Sequence, residues 1–421
     1  ALYQAAKNWK HELNIGFDQT AFDWWSTLPK DSLGTQYISF SSTHQPSAKY
    51  HMGWDTKVGS SMSSALVLGA DIARNQSTGY YWEGIGDVSN GSIPTTGTDG
   101  VTYPYYGYLN STAFYGQEVF GIKDRLYLTF GLRADRQNAT KTNNDFYWSP
   151  RVGAAYSSTF GSVTAKVRAS YGVVPSPIPS YALQEQIYSG APGQIYHANP
   201  NIKPPRLSGA DVGVELYFGR RASIVATYYN QAPRDQIDFV QQQIDSSGFN
   251  VGTWQNIGKI QNKGWEFEGR FYLGRLTLIG TYAPVNGKIT QLSPDYGGAL
   301  RVGDKLLNVP DWTASITASL NLPKTSILVT ATPTGSHLNY TYYKLYADVE
   351  AGTYDSANDR DLYIIDYPGF TKFSLSISQE VSRRIQAFLS VQDLFNSGAI
   401  ETYDYTITKS RVSKFGLRLR P

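Results

Sequence analysis

Glu266, Glu268 and Arg270 alternate with apolar residues in GWEFEGRFYL (264–273). On a strand, the two carboxylates lie about 7 Å apart on one face. Glycosidase carboxylates can have that separation, but they must flank a bond across a cleft. DSANDRD (355–361) gathers carboxylates as a calcium loop does, yet it lacks the EF-hand spacing and its glycine. It reads as a solvated loop. The five histidines, His11, His44, His51, His197 and His337, are scattered, with no pair at a metal-ligand spacing. His51 beside Trp54 reads as ordinary strand packing. No Ser/His/Asp grouping, phosphate loop or dinucleotide fingerprint is present. With no cysteine, disulfides, thiolate chemistry and cysteine zinc sites are excluded. The sequence therefore offers no catalytic residue, metal site or cofactor site, and it reads as a non-enzyme.

The remaining candidates are charges in alternating strands. In LYLTFGLRAD (126–135), Leu126, Leu128, Phe130 and Leu132 alternate with Tyr127, Thr129, Gly131, Arg133 and Asp135. Side chains in a strand point to opposite faces with period two, so one face is apolar and the other polar. Val163, Ala165, Val167 and Ala169 repeat the pattern against Thr164, Lys166, Arg168 and Ser170. So do Val212, Val214, Leu216 and Phe218 against Asp211 and Glu215. Arg133, Asp135, Lys166, Arg168, Asp211, Glu215, Glu266, Glu268 and Arg270 thus share one polar face. They line a substrate path, or they form ion-pair ladders between neighbouring strands.

The strands bearing these charges are joined by short turns and long polar connections in turn, the signature of an outer-membrane β-barrel. Tight turns are read at IKD (122–124), STFG (158–161), GRR (219–221), NLPK (321–324) and SRR (382–384). Long loops, expected outside the cell, are read at about 76–108, 173–206, 236–258, 284–308 and 338–366. Residues 20–34 read as a loop, and 35–42 and 48–58 as two strands. The expected fold is all-β: a single transmembrane antiparallel barrel over 1–421 with about 16–18 strands. Leu128, Val167, Leu216, Phe267 and Leu389 should face lipid, and the charges the lumen.

Composition agrees. The 421 residues are 41% hydrophobic, with 32 Tyr, 9 Trp and 39 Gly, and the mean hydropathy is −0.35. No run of about eighteen apolar residues exists for a transmembrane helix. A barrel needs only alternate apolar positions, and Tyr and Trp suit its interface girdles. A net charge of +3 gives no case for nucleic acid. Outer-membrane lipid is the expected surrounding. Tyr80, Tyr81, Trp82, Tyr105 and Tyr106 are candidate ligand-binding loop aromatics, able to stack on sugar rings, or else interface packing. Tyr340, Tyr342, Tyr343 and Tyr346 read as an aromatic girdle.

Several segments resemble TonB-dependent outer-membrane receptors and transporters. LYLTFGLRAD (126–135) followed by WSPRVGAAY (148–156) is similar to the middle of that barrel. NPNIKP (199–204), NIGKIQNKGWEFEG (256–269) and VQDLFN (391–396) are similar to its later strands and their approaches. NKGWEFEG and NPNIKP resemble the SusC/RagA-like branch, importers of glycans and oligopeptides that carry a lipoprotein lid. The resemblance implies a Gram-negative outer-membrane transporter of a bulky nutrient: an oligosaccharide, a peptide or a chelated metal. It implies the TonB system and a plug or lid as partners. The family barrel closes with 22 strands and holds an N-terminal plug. The expectation is that this chain is N-terminally incomplete, with plug and first strands preceding Ala1. The alternative is a plugless barrel serving as a scaffold or anchor in a larger surface assembly.

Overall fold

The computed structural model describes the chain except residues 1, 28–34, 86–100, 139–144, 177, 180–181, 183–184, 189–193, 200, 245–249, 295, 297–298, 355–357, 405–409 and 420–421. It contains one sheet of nineteen strands and a separate two-stranded ribbon. The first strands are β1 (Leu2–Ala6), β2 (Trp9–Thr27), β3 (Thr35–Val58), β4 (Met62–Ile85), β5 (Val101–Ile122), β6 (Leu126–Asn138), β7 (Tyr147–Phe160) and β8 (Val163–Pro175). Two short strands follow, β9 (Gln186–Tyr188) and β10 (Gln194–His197). Then come β11 (Arg206–Phe218), β12 (Ala222–Ile244), β13 (Asn250–Leu273), β14 (Leu276–Leu292), β15 (Trp312–Asn321) and β16 (Thr325–Thr334). The ribbon is β17 (His337–Tyr340) and β18 (Ile364–Tyr367), with helices α1 (Tyr342–Glu350) and α2 (Asp359–Tyr363) between them. β19 (Phe370–Glu380), β20 (Ile385–Gln392) and β21 (Val412–Leu419) complete the sheet.

Setting aside β9 and β10, the other seventeen strands form one antiparallel meander. Each pairs with its predecessor from β1 to β21, with β8 passing to β11 and β16 to β19. Among the described residues no pairing joins β21 to β1. Short turns and long connections alternate throughout. At the β5–β6 turn, Lys123 and Asp124 have φ of 52° and 50°, and the Arg125 N–H donates to Ile122 O at 3.1 Å. Two consecutive positive φ values are what a hairpin twisted with its strands requires. Between β13 and β14, Gly274 supplies a φ of 64°.

The strands are longer than their side-chain pattern suggests. β3 is one strand across 35–58, not two. Pro46 pairs with Phe17 of β2, and the β3–β4 register is the same on both sides of it. Proline lacks only its own donor, so a fixed register carries the ladder past it. β2 runs to Thr27 through the expected 20–34 loop. The expected 76–108 loop shrinks, because β4 and β5 pair up to Glu83↔Val101. The 236–258 loop shrinks likewise to the connection between Ile244 and Asn250, and β14 extends to Leu292. The turn read at 158–161 moves to Gly161–Ser162, since β7 continues to Phe160. Backbone pairing is indifferent to side-chain polarity, so the ladder outlasts the apolar alternation.

Side-chain contacts sort the two faces. Arg133 reaches Asp71, and Arg168 reaches Asp211 and Thr227, so these residues share the polar face. The opposite face exposes Phe114, Phe130, Leu132, Val167, Val212, Val214, Phe267 and Leu389. Above this apolar band runs an aromatic row: Tyr228–Trp265 at 5.2 Å, Trp265–Phe267 at 5.7 Å, Phe267–Tyr282 at 6.3 Å and Tyr282–Trp312 at 5.9 Å. This is the girdle. It is not Tyr340–Tyr346, which lie in the ribbon and α1. A girdle needs outward parity at the top of a spanning strand, and those positions have none.

Candidate functional site

The polar face of β4 to β13 carries a ladder of ion pairs. The Arg133 guanidinium lies 2.9 Å from Asp71 and 2.9 Å from Asp135, and it sits 5.4 Å from the Tyr115 ring centroid. Two strands along, Lys166 Nζ donates to Glu215 at 3.1 Å, and Arg168 donates to Glu215, Asp211 and Thr227 at 3.2, 2.8 and 2.8 Å. Tyr217 O–H donates to the other Glu215 oxygen at 2.7 Å. Arg270 pairs with Glu268 at 2.6 Å. Eight of the nine charges read from the sequence are therefore joined in the ladder. Glu266 forms no ion pair among the described contacts. It faces a cavity of about 440 Å³ with Arg168, Asp211, Tyr229 and Asn262. A larger cavity of about 640 Å³ lies beside it, walled by Arg133, Arg151, Arg168 and Gln231. Arg151 was not singled out in the sequence. Its odd-numbered position beside Tyr147 and Ser149 was the available signal, because those residues lie opposite Asp135 and Arg133.

The candidate aromatics lie on the paired strands β4 and β5. Tyr80 lies in β4, opposite Pro104, and its ring packs 5.8 Å from Phe40. Tyr106 lies in β5, 6.4 Å from Tyr108. The backbones of Tyr81, Trp82 and Tyr105 continue these strands, and their side chains lie outside the described residues. His11 and His51 are neighbours across β2 and β3 but lie on opposite faces of the sheet. His51 faces Glu12 at 3.3 Å, on the side of β3 away from Trp54. Of DSANDRD, residues 355–357 lie outside the described residues, while Arg360 pairs with Asp304 at 2.7 Å. Among the described residues no group of His, Asp or Glu could hold a metal ion.

A folded module stands at the long-loop end, which the sequence showed only as a Tyr-rich loop. β17 pairs with β18, and α1 and α2 connect them. Tyr363 is fully buried, and Tyr367 and His337 nearly so. His337 Nε2 and Asn339 Nδ2 both donate to Thr402 O, at 3.0 and 2.9 Å. Thr341 O–H donates to Asp404 at 2.7 Å, and Tyr342 packs 4.7 Å from Tyr403. Asn308 N–H donates to Leu338 O at 2.7 Å. Three connections are thereby pinned into one unit: 293–311, 335–369 and 393–411. On its surface Tyr343 is 73% exposed and Tyr346 46%, the largest rings α1 presents outward.

The module has an acid-sensitive contact. Lys344, then the Tyr363 hydroxyl, donate to Asp348 and hold its carboxyl below the ordinary value of 3.8. A depressed folded pKa contributes stability that is present above the ordinary value and lost as pH falls through the folded one. The contact should therefore be intact at pH 7 and at pH 3.8, and open only as pH falls through the depressed value below that. Hydrogen exchange over residues 342–363 should speed up in that acid window in the wild-type protein. In Asp348→Asn the acid step should be missing.

The profile of the family described as "TonB dependent receptor-like, beta-barrel" matches residues 2–394. A curated relative, TonB-dependent receptor P26 from Formosa agariphila, is 26% identical over 212 residues, covering 44% of this chain and 20% of that protein. The siderophore receptor PiuA from Acinetobacter baumannii superposes with a TM-score of 0.70 at 15% identity, over 99% of this chain and 63% of that one. The RagAB peptide importer gives 0.73 at 14%, over 99% and 61%. The ferric citrate transporter FecA gives 0.70 at 14%, over 99% and 60%. The chain thus spans about three fifths of the solved chains it matches and a fifth of the curated relative. The chain belongs to the TonB-dependent receptor-like β-barrel family, integral proteins of the Gram-negative outer membrane.

Proposed function

We propose that the chain forms the barrel wall of an importer for a bulky nutrient: an oligosaccharide, a peptide or a chelated metal. One observation carries the reading. A polar face lined by paired charges and open cavities runs along β4 to β13, and a folded module with exposed tyrosines stands among the long connections. Paired charges present hydrogen-bonding groups to a hydrated solute without holding it by one strong net charge. The family's solved members named as importing peptides and ferric citrate support the class. TonB energisation, and a plug or lid partner, belong to the same proposal. Uptake of labelled oligopeptides, oligosaccharides and ferric chelates should be compared between intact cells and cells lacking the protein. Import of at least one class should fall in the mutant. Unchanged uptake of all three would overturn the reading.

In this proposal the long connections face outward and the short turns face the periplasm. Trypsin added to intact cells should cut within 293–311 or 335–369 and spare Arg220, Arg221, Arg383 and Arg384. Cleavage at those turn arginines first would reverse the orientation.

A further inference from the structure

We propose that a cavity between β5–β8 and the arms of the 176–205 connection is a side-chain pocket for the phenol ring of a tyrosine in an imported peptide. The inference rests on the importer reading and names the solute class within it. Two residues break the strand pattern there. Leu109 has the parity of Tyr115, which stands opposite Arg133, and Val174 has the parity of Arg168. Both are therefore apolar side chains on the polar face. With Pro175, Ile178 and Pro204 they line a cavity of about 190 Å³, whose charged wall is Arg133 and Asp135.

The pocket is pre-formed. Pro175 pairs with Arg206, and the Ser176 N–H donates to Pro205 O at 2.7 Å, so the two arms of the connection leave the wall together. Ile178 packs with Ala182 and Ile202 against Ile237 and Trp254. Asn256 Nδ2 donates to Lys203 O and its Oδ1 accepts from the Lys203 N–H, both at 2.8 Å, which fixes the arm bearing Pro204. Arg133 is held by Asp71 and Asp135. A side chain entering this pocket orders little that is not already ordered, so little binding energy is lost to reorganisation.

Size and polarity select the occupant. An apolar cavity of about 150 Å³ admits benzene, whereas sites for whole ligands span about 300–1,000 Å³. At about 190 Å³ the cavity holds one substituted ring of a larger solute. Ser149 lines it, and its Oγ is buried without a partner. The other polar groups are engaged: Arg133 with its two carboxylates, and Gln137 and Tyr147 in interactions of their own. A pyranose would bring several hydroxyls to one unpaired group, and buried hydroxyls left unbonded are costly. An iron-bound catecholate is anionic, and it would meet one arginine and two carboxylates, a net negative group. A phenol brings one hydroxyl for Ser149 and an apolar ring for Leu109, Val174 and Ile178.

The protein extracted in detergent from outer membranes should be titrated calorimetrically with blocked pentapeptides Gly-Gly-X-Gly-Gly, where X is Tyr, Phe or Ala. Maltopentaose and a ferric tricatecholate complete the set of probes. The Tyr peptide should bind at least about tenfold tighter than the Ala peptide, and about threefold tighter than the Phe peptide. Ser149→Ala should bring the Tyr and Phe peptides within about twofold of each other. Leu109→Trp, which fills the cavity, should do the same for all three peptides, with heat-modifiable migration on gels showing that it is folded. If it misfolds, the ratio in Ser149→Ala decides. Equal binding of the Tyr and Ala peptides, tighter binding of maltopentaose or the catecholate than of the Tyr peptide, or an unchanged Tyr-to-Phe ratio in Ser149→Ala would overturn the pocket. Import of oligosaccharide alone in the uptake comparison would also overturn it and leave the importer reading standing. Unchanged uptake of all three classes would overturn the importer reading whatever the peptide ratios.

Discussion

Val214→Arg should lose about 2–4 kcal/mol of stability in a bilayer. Val214 is central in β11's outward row, between Leu216 and Val212, and it pairs with Val167 on one side and Ala226 on the other. It is 41% exposed, and on the apolar face that exposure is to lipid. An arginine there has neither water nor a carboxylate nearby, and snorkelling recovers only part of the cost. Thr129→Arg makes the same chemical change on the other face. Thr129 lines the 640 Å³ cavity, where Gly153 opposite it leaves space. That variant should stay within about 0.5 kcal/mol of wild type. Urea unfolding from vesicles measures both. Equal losses at the two sites would refute the assignment of faces.

Glu215→Ala should cost about 1–3 kcal/mol. Glu215 is the hub of the ladder, with its side chain 11% exposed and with Lys166, Arg168 and Tyr217 all donating to it. Removing one partner of a buried pair costs about 3–5 kcal/mol. Here Lys166 and Arg168 are 37% and 33% exposed, so water screens the orphaned cations and lowers the figure. Glu215→Gln keeps the shape and an acceptor for Tyr217, and should cost only about 1 kcal/mol. The double variant Glu215→Ala/Arg168→Ala should be less destabilised than the sum of its singles, because their shared contact is lost in either single and counted twice in the sum. Additive losses would show that the two side chains act independently.

The strand number held, and the charges proved to share one face, because both expectations rest on local rules. LYLTFGLRAD and ADVGVELYF carry their orientation in period-two alternation, which each strand displays without its neighbours. The meander of seventeen strands agrees with the expected 16–18. Strand ends were less legible. Thr78, Gly79 and Tyr80 read as loop, yet they continue β4 because β3 and β5 both offer partners at that height. The girdle was misplaced for a related reason. Tyr342 and Tyr346 look like interface residues by type, and only the turn into α1 removes them from the wall.

The sequence by itself determined the class of fold, the polar and apolar face of each strand, the alternation of turns and loops, and the family. All of these follow from residue type and near-neighbour spacing. Tertiary structure alone decided which charges meet. Arg133 and Asp71 are 62 residues apart, and Arg168 and Thr227 are 59 apart. It also decided that three loops fold into one module. Each of those juxtapositions depends on the register between strands. Register is set by turn geometry and by matching the faces of neighbouring strands, a constraint that no single stretch encodes alone.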